Sequence, residues 1–419
     1  MNSYGIFIVA ALLAKYLIDL VSELLNLMSL KPELPRELQG FYNPQEYIGS
    51  QEYTRAHARL GIFAGSFDLA VLLVFWFAGG FSWLDMLIRS LGFNSIVTGI
   101  LYLGIFLLAN SLLSVPFSVY STFVIEEKFK FNRTTPRTFV LDRLKALLLS
   151  VILGIPLLAI VLWFFQHAGN LAWLYCWIIS TAFILILQFV MPVWIMPLFN
   201  KFTPLPQGEL KENIIQYAAK VGFAFKEISV MDGSRRSSKA NAFFTGFGRN
   251  RRIALYDTLI EQHTVPELVA VLAHEIGHQK KKHIIQGIGI GIIHMGVLFF
   301  LLSLFLNNRS LFDAFYMTNL SVYGSLLFFG LLYEPISFIL SILLNAFSRK
   351  HEREADDYAA KTIDSPEEMV AALKKLSCKN LTNLTPHPFY VFLHYGHPPL
   401  LQRIAAIRKA SLDAGCRDL

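Results

Sequence analysis

Charge and cysteine are both scarce in this 419-residue chain: 16% of residues are Asp, Glu, Lys or Arg, and there are three cysteines. So little charge cannot clothe the two or three soluble domains that the length alone would suggest. Cys176, Cys378 and Cys416 form no pair with zinc-ligand spacing. Cys176 lies in an apolar stretch and the other two near the C-terminal end, so no disulfide framework is expected. There is also no internal repeat, no low-complexity tract and no nucleic-acid module to explain the net charge of +7.

Apolar residues are what the chain has in plenty, 54% of the total with a mean hydropathy of +0.48. Long apolar stretches lie at about 4–30, 61–82, 98–125, 146–165, 172–197, 284–306 and 321–347. Each can cross roughly 30 Å of hydrocarbon as a helix. The first runs too long for a signal peptide, lacks a basic leading segment and has no small-residue cleavage site, so it is expected to remain as a span.

If seven spans are threaded alternately, 34 of the 37 Lys and Arg residues fall on one side. The other side keeps Arg89 and Arg309, and Lys15 lies inside the first span. The positive-inside rule then puts the N-terminus outside and the C-terminus in the cytosol. The positive charge reflects that orientation and contact with anionic headgroups, as for Lys280–Lys282 at a membrane entry point.

Residues 274–278 read His-Glu-Ile-Gly-His, and Glu352 and Asp356 form a Glu-x-x-x-Asp pair further on. On a helix, histidines four apart project from one face and can share a Zn²⁺, with Glu275 beside the metal as general base. Glu352 completes a two-His, one-Glu set that leaves a position open for water, as in metal hydrolases. Asp356, one turn on, can accept the free ring N–H of a ligand histidine. Thr264-Val-Pro-Glu267 is a capping-box start and Leu268, Val271, Leu272 and Ile276 follow at helical spacing, so the motif is expected on a helix. The plain alternative is a pair of surface histidines on an amphipathic helix.

Two regions are expected, a five-span membrane part at 1–197 and a zinc metallopeptidase part at 198–419 that includes the last two spans. Within the latter, Lys211–Val221 reads as a helix, and Glu227–Met231, Ala240–Thr245 and Arg251–Tyr256 as strands of a small sheet. Gly246–Asn250 reads as a hairpin loop between the last two. His278 precedes the sixth span by about six residues, roughly 9 Å along a continuous helix, and Glu352 follows the seventh by about five. A short outer connection makes these spans antiparallel, so their cytosolic ends bring His274, His278 and Glu352 together. Lys15, Asp19 and Glu23 recur on one face of the first span, and Asp68, Asn110, His294 and Glu334 lie in other spans. Such residues imply either a polar chamber or isolated interhelical pairs.

The chain resembles the type I CAAX prenyl endopeptidases over nearly its whole length. Beyond the two zinc segments, the likeness lies in the strings Phe123–Asn132, Met196–Pro206, Ala240–Gly248 and His397–Ile404. The resemblance implies an all-α integral membrane protein, with seven transmembrane helices in a barrel-like chamber and a small cytosolic α+β zinc-metalloprotease portion. It also implies cleavage near a prenylated C-terminus. By the same resemblance His397 is a candidate to stabilise the tetrahedral oxyanion, and Arg403 to hold the His-Pro-Pro-Leu segment or a substrate carboxylate. A histidine before two prolines also fits a rigid turn. Asn241, Ala242 and Phe243 offer an edge for strand addition by a substrate, or form an ordinary strand. Short outer connections and the absence of a C-terminal dilysine favour a bacterial inner membrane, with the endoplasmic reticulum membrane as the place for a eukaryotic member.

The expected activity is zinc-dependent hydrolysis of CAAX-type, prenylated or related peptides. The expected partners are the peptide substrate and the bilayer, with no nucleic acid. A broad-specificity quality-control protease would share the metal site. A zinc transporter would need ligands deep in the spans and no Glu275.

Overall fold

The computed structural model describes residues 1–245 and 252–415; the loop expected at 246–250, Arg251 and the last four residues lie outside them. Seven helices are long and apolar enough to cross a membrane: Ser3–Met28, Pro44–Phe77, Ser95–Glu126, Pro136–His167, Gly169–Phe199, His283–Phe305 and Val322–Thr362. Most overshoot their apolar stretch, because a helix continues until its backbone is capped, not until its hydropathy falls. The second span shows this best. It starts at an Asn43 capping box completed by Glu46 and stops before Gly79, whose φ of 74° lies in the left-handed region that glycine enters freely.

The spans close a ring. First packs on second, third on fourth, fourth on fifth, fifth on sixth, sixth on seventh and seventh on first, while the π-helical end of the third span, Ser121–Glu126, touches the second. Within the most apolar window of each span, no more than 17% of residues are buried against protein, as suits helices whose outer faces meet lipid. The end remote from the sheet is plugged by apolar side chains including Trp76, Phe81, Phe312, Phe315 and Phe328, all fully buried. Polar span residues serve both readings of the sequence. Lys15 pairs with Glu334 at 3.5 Å and His294 with Tyr333 at 3.1 Å, both between spans, while Asp19 pairs with His394 of the short helix Pro388–His394 at 3.7 Å.

The portion outside the spans is built on a four-stranded sheet in the order β1-β2-β4-β3. Strands β2 (Glu227–Met231), β3 (Ala242–Thr245) and β4 (Arg252–Tyr256) lie where the sequence places them. β1 (Phe202–Pro204), antiparallel to β2, is additional. β2 and β4 are parallel and β3 and β4 antiparallel, which leaves β3 on the edge. The helix Glu209–Lys220 and the motif helix Val265–Lys280 cover the sheet, with Ile214, Ile253, Leu255, Leu272 and Ile276 in one core.

The motif helix begins as its sequence predicts. Thr264 caps it and Glu267 reaches back to the Thr264 N–H at 2.8 Å, which satisfies two otherwise orphaned donors. Its other end corrects the expectation of a continuous helix into the sixth span. The helix stops at Lys280 and a new one starts at His283, with Lys282 between them at φ 59°. The three consecutive lysines carry no glycine or proline to announce this break.

Candidate metal centre

The motif helix and the helix Val322–Thr362 cross closely because Gly277 has no side chain. A Cβ there would stand 3.1 Å from the Ala355 backbone. That approach sets His274, His278 and Glu352 face to face, with one ligand atom from each within 4.8 Å of the others. The two Nε2 atoms are 3.1 Å apart. Glu352 places Oε1 at 3.2 Å from His278 and Oε2 at 3.4 Å from His274.

These residues fit a metal. Two imidazole nitrogens aimed at each other need a proton or a metal cation between them, because two bare lone pairs repel. Glu352 Oε2 is buried and accepts no hydrogen bond of good geometry, a costly state that coordination would relieve. Burial opposes a proton on His274, yet hydrogen bonds to Asp356 and Glu352 outweigh it and raise the ring to about 9. The carboxylates thus demand positive charge at this spot. A His-His-carboxylate set is a common way for a protein to supply it with a metal.

Glu275 is beside the cluster, half-buried, and has no hydrogen bond or ion pair among the described residues. Burial raises its carboxyl above the ordinary value of 4.5, although the charges of His274 and His278 oppose the rise. Asp356, 1% exposed, accepts from His274 Nδ1 at 2.8 Å. Arg403 grips the same carboxylate through Nε at 2.8 Å and Nη2 at 2.7 Å. Two of its five N–H donors go to Asp356, and because Arg403 lies on the tail helix Leu400–Gly415, the pair ties that helix to the site. His397, whose side chain is 67% exposed, puts Nε2 at 3.3 Å from Glu352 Oε1.

Ala242 and Phe243 lie on the edge strand and Asn241 immediately precedes it. Ala242 and Phe244 face the core shared with the motif helix, and Phe243 turns the other way, edge-on to Tyr256. Two residues of this neighbourhood escape a motif search. His283 meets His278 Nδ1 to Nδ1 at 3.0 Å, and Glu354 meets His283 Nε2 at 3.0 Å. The sequence signal for them is a third histidine after the motif and a second glutamate two residues after Glu352.

Residues 23–201 match the family model described as CAAX prenyl protease N-terminal, five membrane helices, and residues 204–411 match Peptidase family M48. The chain is 35% identical over 387 residues to a CAAX prenyl protease 1 homolog of Oryza sativa subsp. japonica, covering 90% of this chain and 91% of that protein. It is 34% identical to CAAX prenyl protease 1 of Saccharomyces cerevisiae, covering 90% and 88%. The crystal structure of S. mikatae Ste24p matches with a TM-score of 0.92 at 31% identity, over 97% of this chain and 99% of that one.

Proposed function

This chain belongs to the CAAX prenyl protease 1 family of M48 metallopeptidases, and from that premise we propose zinc-dependent cleavage of peptides near a prenylated, CAAX-type C-terminus. It is a membrane metalloendopeptidase, so a transporter reading is set aside. In this proposal residues 1–197 are the membrane part and 198–419 the peptidase part, with the site facing the cytosol.

His274, His278 and Glu352 would hold one Zn²⁺, which when bound supplies the Lewis acidity that activates a water and polarises the scissile carbonyl. Glu275 takes the proton of the attacking water and returns it to the leaving amine. Its freedom from partners and its raised proton affinity suit both transfers. His397 donates Nε2–H to the developing oxyanion, an electrostatic role for a side chain that reaches the Glu352 carboxylate from the exposed side. Asn241, Ala242 and Phe243 receive the substrate backbone on the open edge of β3, next to the motif helix. Asp356, held by Arg403, orients His274, and Arg403 is also the candidate for holding the His-Pro-Pro-Leu segment or a substrate carboxylate.

The observation that carries this reading is the convergence of three ligand atoms beside an unpartnered Glu275. Its test is Glu275→Gln, which keeps shape but cannot take a proton. Zinc should stay bound while turnover of a farnesylated CAAX peptide falls by about two to four orders of magnitude. Near-normal hydrolysis with verified zinc would remove Glu275 as the base. Product mass spectrometry on the farnesylated peptide beside its unprenylated twin separates a CAAX protease from a broad-specificity one. For orientation, single cysteines at Ser310 and Ser237 in a cysteine-free background should label from opposite faces of sealed membranes; labelling from one face would overturn the proposed threading.

A further inference from the structure

On an unbroken α-helix, residues five apart point about 140° away from each other, so His278 and His283 would not meet. They do meet here because the chain turns through a left-handed residue at Lys282. A lysine adopts that conformation only against a steric cost, and what the turn brings about is the contact between the two rings. His283 is 4% exposed at its side chain, with Nδ1 at 3.0 Å from His278 Nδ1 and Nε2 at 3.0 Å from Glu354 Oε2. Its ring is stacked on His351, with centroids 3.9 Å apart and planes 9° from parallel. His351 is itself held by Gln286 at 3.0 Å.

Two Nδ1 atoms at this distance form a hydrogen bond when one of them carries the proton. For His278 to present a lone pair at Nε2 toward Glu352 and His274, its proton must sit on Nδ1. His278 Nδ1–H then donates to His283 Nδ1. That places the proton of His283 on Nε2, which is aimed at the Glu354 carboxylate. A single assignment of protons satisfies all three groups and leaves the metal-facing nitrogen free.

We propose that His283 and Glu354 are positioning residues that fix the tautomer and rotation of His278 for metal binding, a carboxylate–histidine–histidine extension of the usual support for a ligand histidine. The inference rests on the zinc reading above.

The test uses the full-length protein in detergent, stripped of metal and titrated with Zn²⁺ against a chromophoric chelator. His283→Phe keeps a buried ring over His351 but has no acceptor for His278. His283→Gln has both an acceptor for His278 and a donor for Glu354. The Phe variant should bind zinc about 10–100-fold more weakly than the unaltered protein, and the Gln variant should recover most of that loss. The thermal midpoints of the zinc-free proteins should agree. Undiminished zinc affinity in the Phe variant would overturn the relay, as would a loss in the Gln variant as large as or larger than that in the Phe variant. If the Phe variant does not fold, Glu354→Ala is read in the same competition; a several-fold loss supports the relay and no change overturns it. Failure of the unaltered protein to take up one zinc would instead overturn the zinc reading, and the relay with it.

Discussion

Two histidines one turn apart on a single helix are held by unlike supports. His274 leans on Asp356, which is locked in turn by the Arg403 fork, and both partners are almost wholly withdrawn from water. His278 leans on His283, a neutral ring between it and Glu354, whose side chain is 36% exposed and lies 3.8 Å from Lys350. The first support is a charge pair sequestered in protein; the second ends in a charge that water still reaches. An unpaired charge in the first setting has nowhere to be solvated, whereas in the second it does. Loss of the first should therefore damage the fold and the metal site together, and loss of the second the metal site alone.

The comparison breaks most visibly at Asp356. Asp356→Ala leaves Arg403 buried without its partner, and denaturant unfolding of the zinc-free protein should show a loss of about 3–5 kcal/mol together with weaker zinc binding. Asp356→Asn keeps an acceptor for His274 and should lose less of both. Equal stability of Asp356→Ala and His283→Phe in the zinc-free state would erase the distinction between the supports. The His283 pair is the middle case, with zinc affinity moving while the zinc-free fold stays.

Glu267 sharpens the comparison from outside the site, since it caps the same helix but touches neither histidine. Burial raises its carboxyl, but hydrogen bonds from Lys375, 2.6 Å away, and from the Thr264 N–H outweigh that and hold it below 4.5. A carboxylate depressed in the folded state adds stability above its unfolded value, and the gain is lost as pH falls through the folded one. Glu267→Gln should therefore cost about 1–2 kcal/mol near neutral pH. The gap from the unaltered protein should begin to narrow as pH falls below the ordinary carboxyl value and close once the depressed folded value is passed. Unfolding measured near neutral pH and in acid checks this; a gap that persists in acid would mean that the side chain acts through packing and not charge.

How much of this was legible in the sequence depends on how far apart the cooperating residues lie. Thr264, Pro266, Glu267 and the His274–His278 spacing sit within four turns, so capping and periodicity specify them locally. Glu352 and Asp356 are one turn apart and could be paired with the motif through the antiparallel spans. Arg403 was visible only as part of a string, and its engagement with Asp356 depends on how the tail helix docks. The break at Lys281–Lys282 had no local signal at all, and with it went the meeting of His278 and His283. β1 escaped because three residues ending in proline read as loop, yet hydrogen bonds from β2 make them a strand. Another junction was equally hidden. Glu126 accepts from Tyr53, from His57 at 3.2 Å and from Lys239 at 3.0 Å, tying the second and third spans to the segment that leads into the edge strand.

By itself the sequence determined the seven apolar spans, the skewed distribution of basic residues and a helix that presents two histidines and a glutamate. Each of these follows from hydropathy, charge or periodicity within a short window. Tertiary structure alone decided that the spans close into a ring, that β3 takes the edge, and that Asp356 with Arg403 backs one histidine while His283 with Glu354 backs the other. Those outcomes depend on the register between elements remote in the chain. That register is set by close packing, as where Gly277 lets two backbones touch, and not by any property a single segment carries.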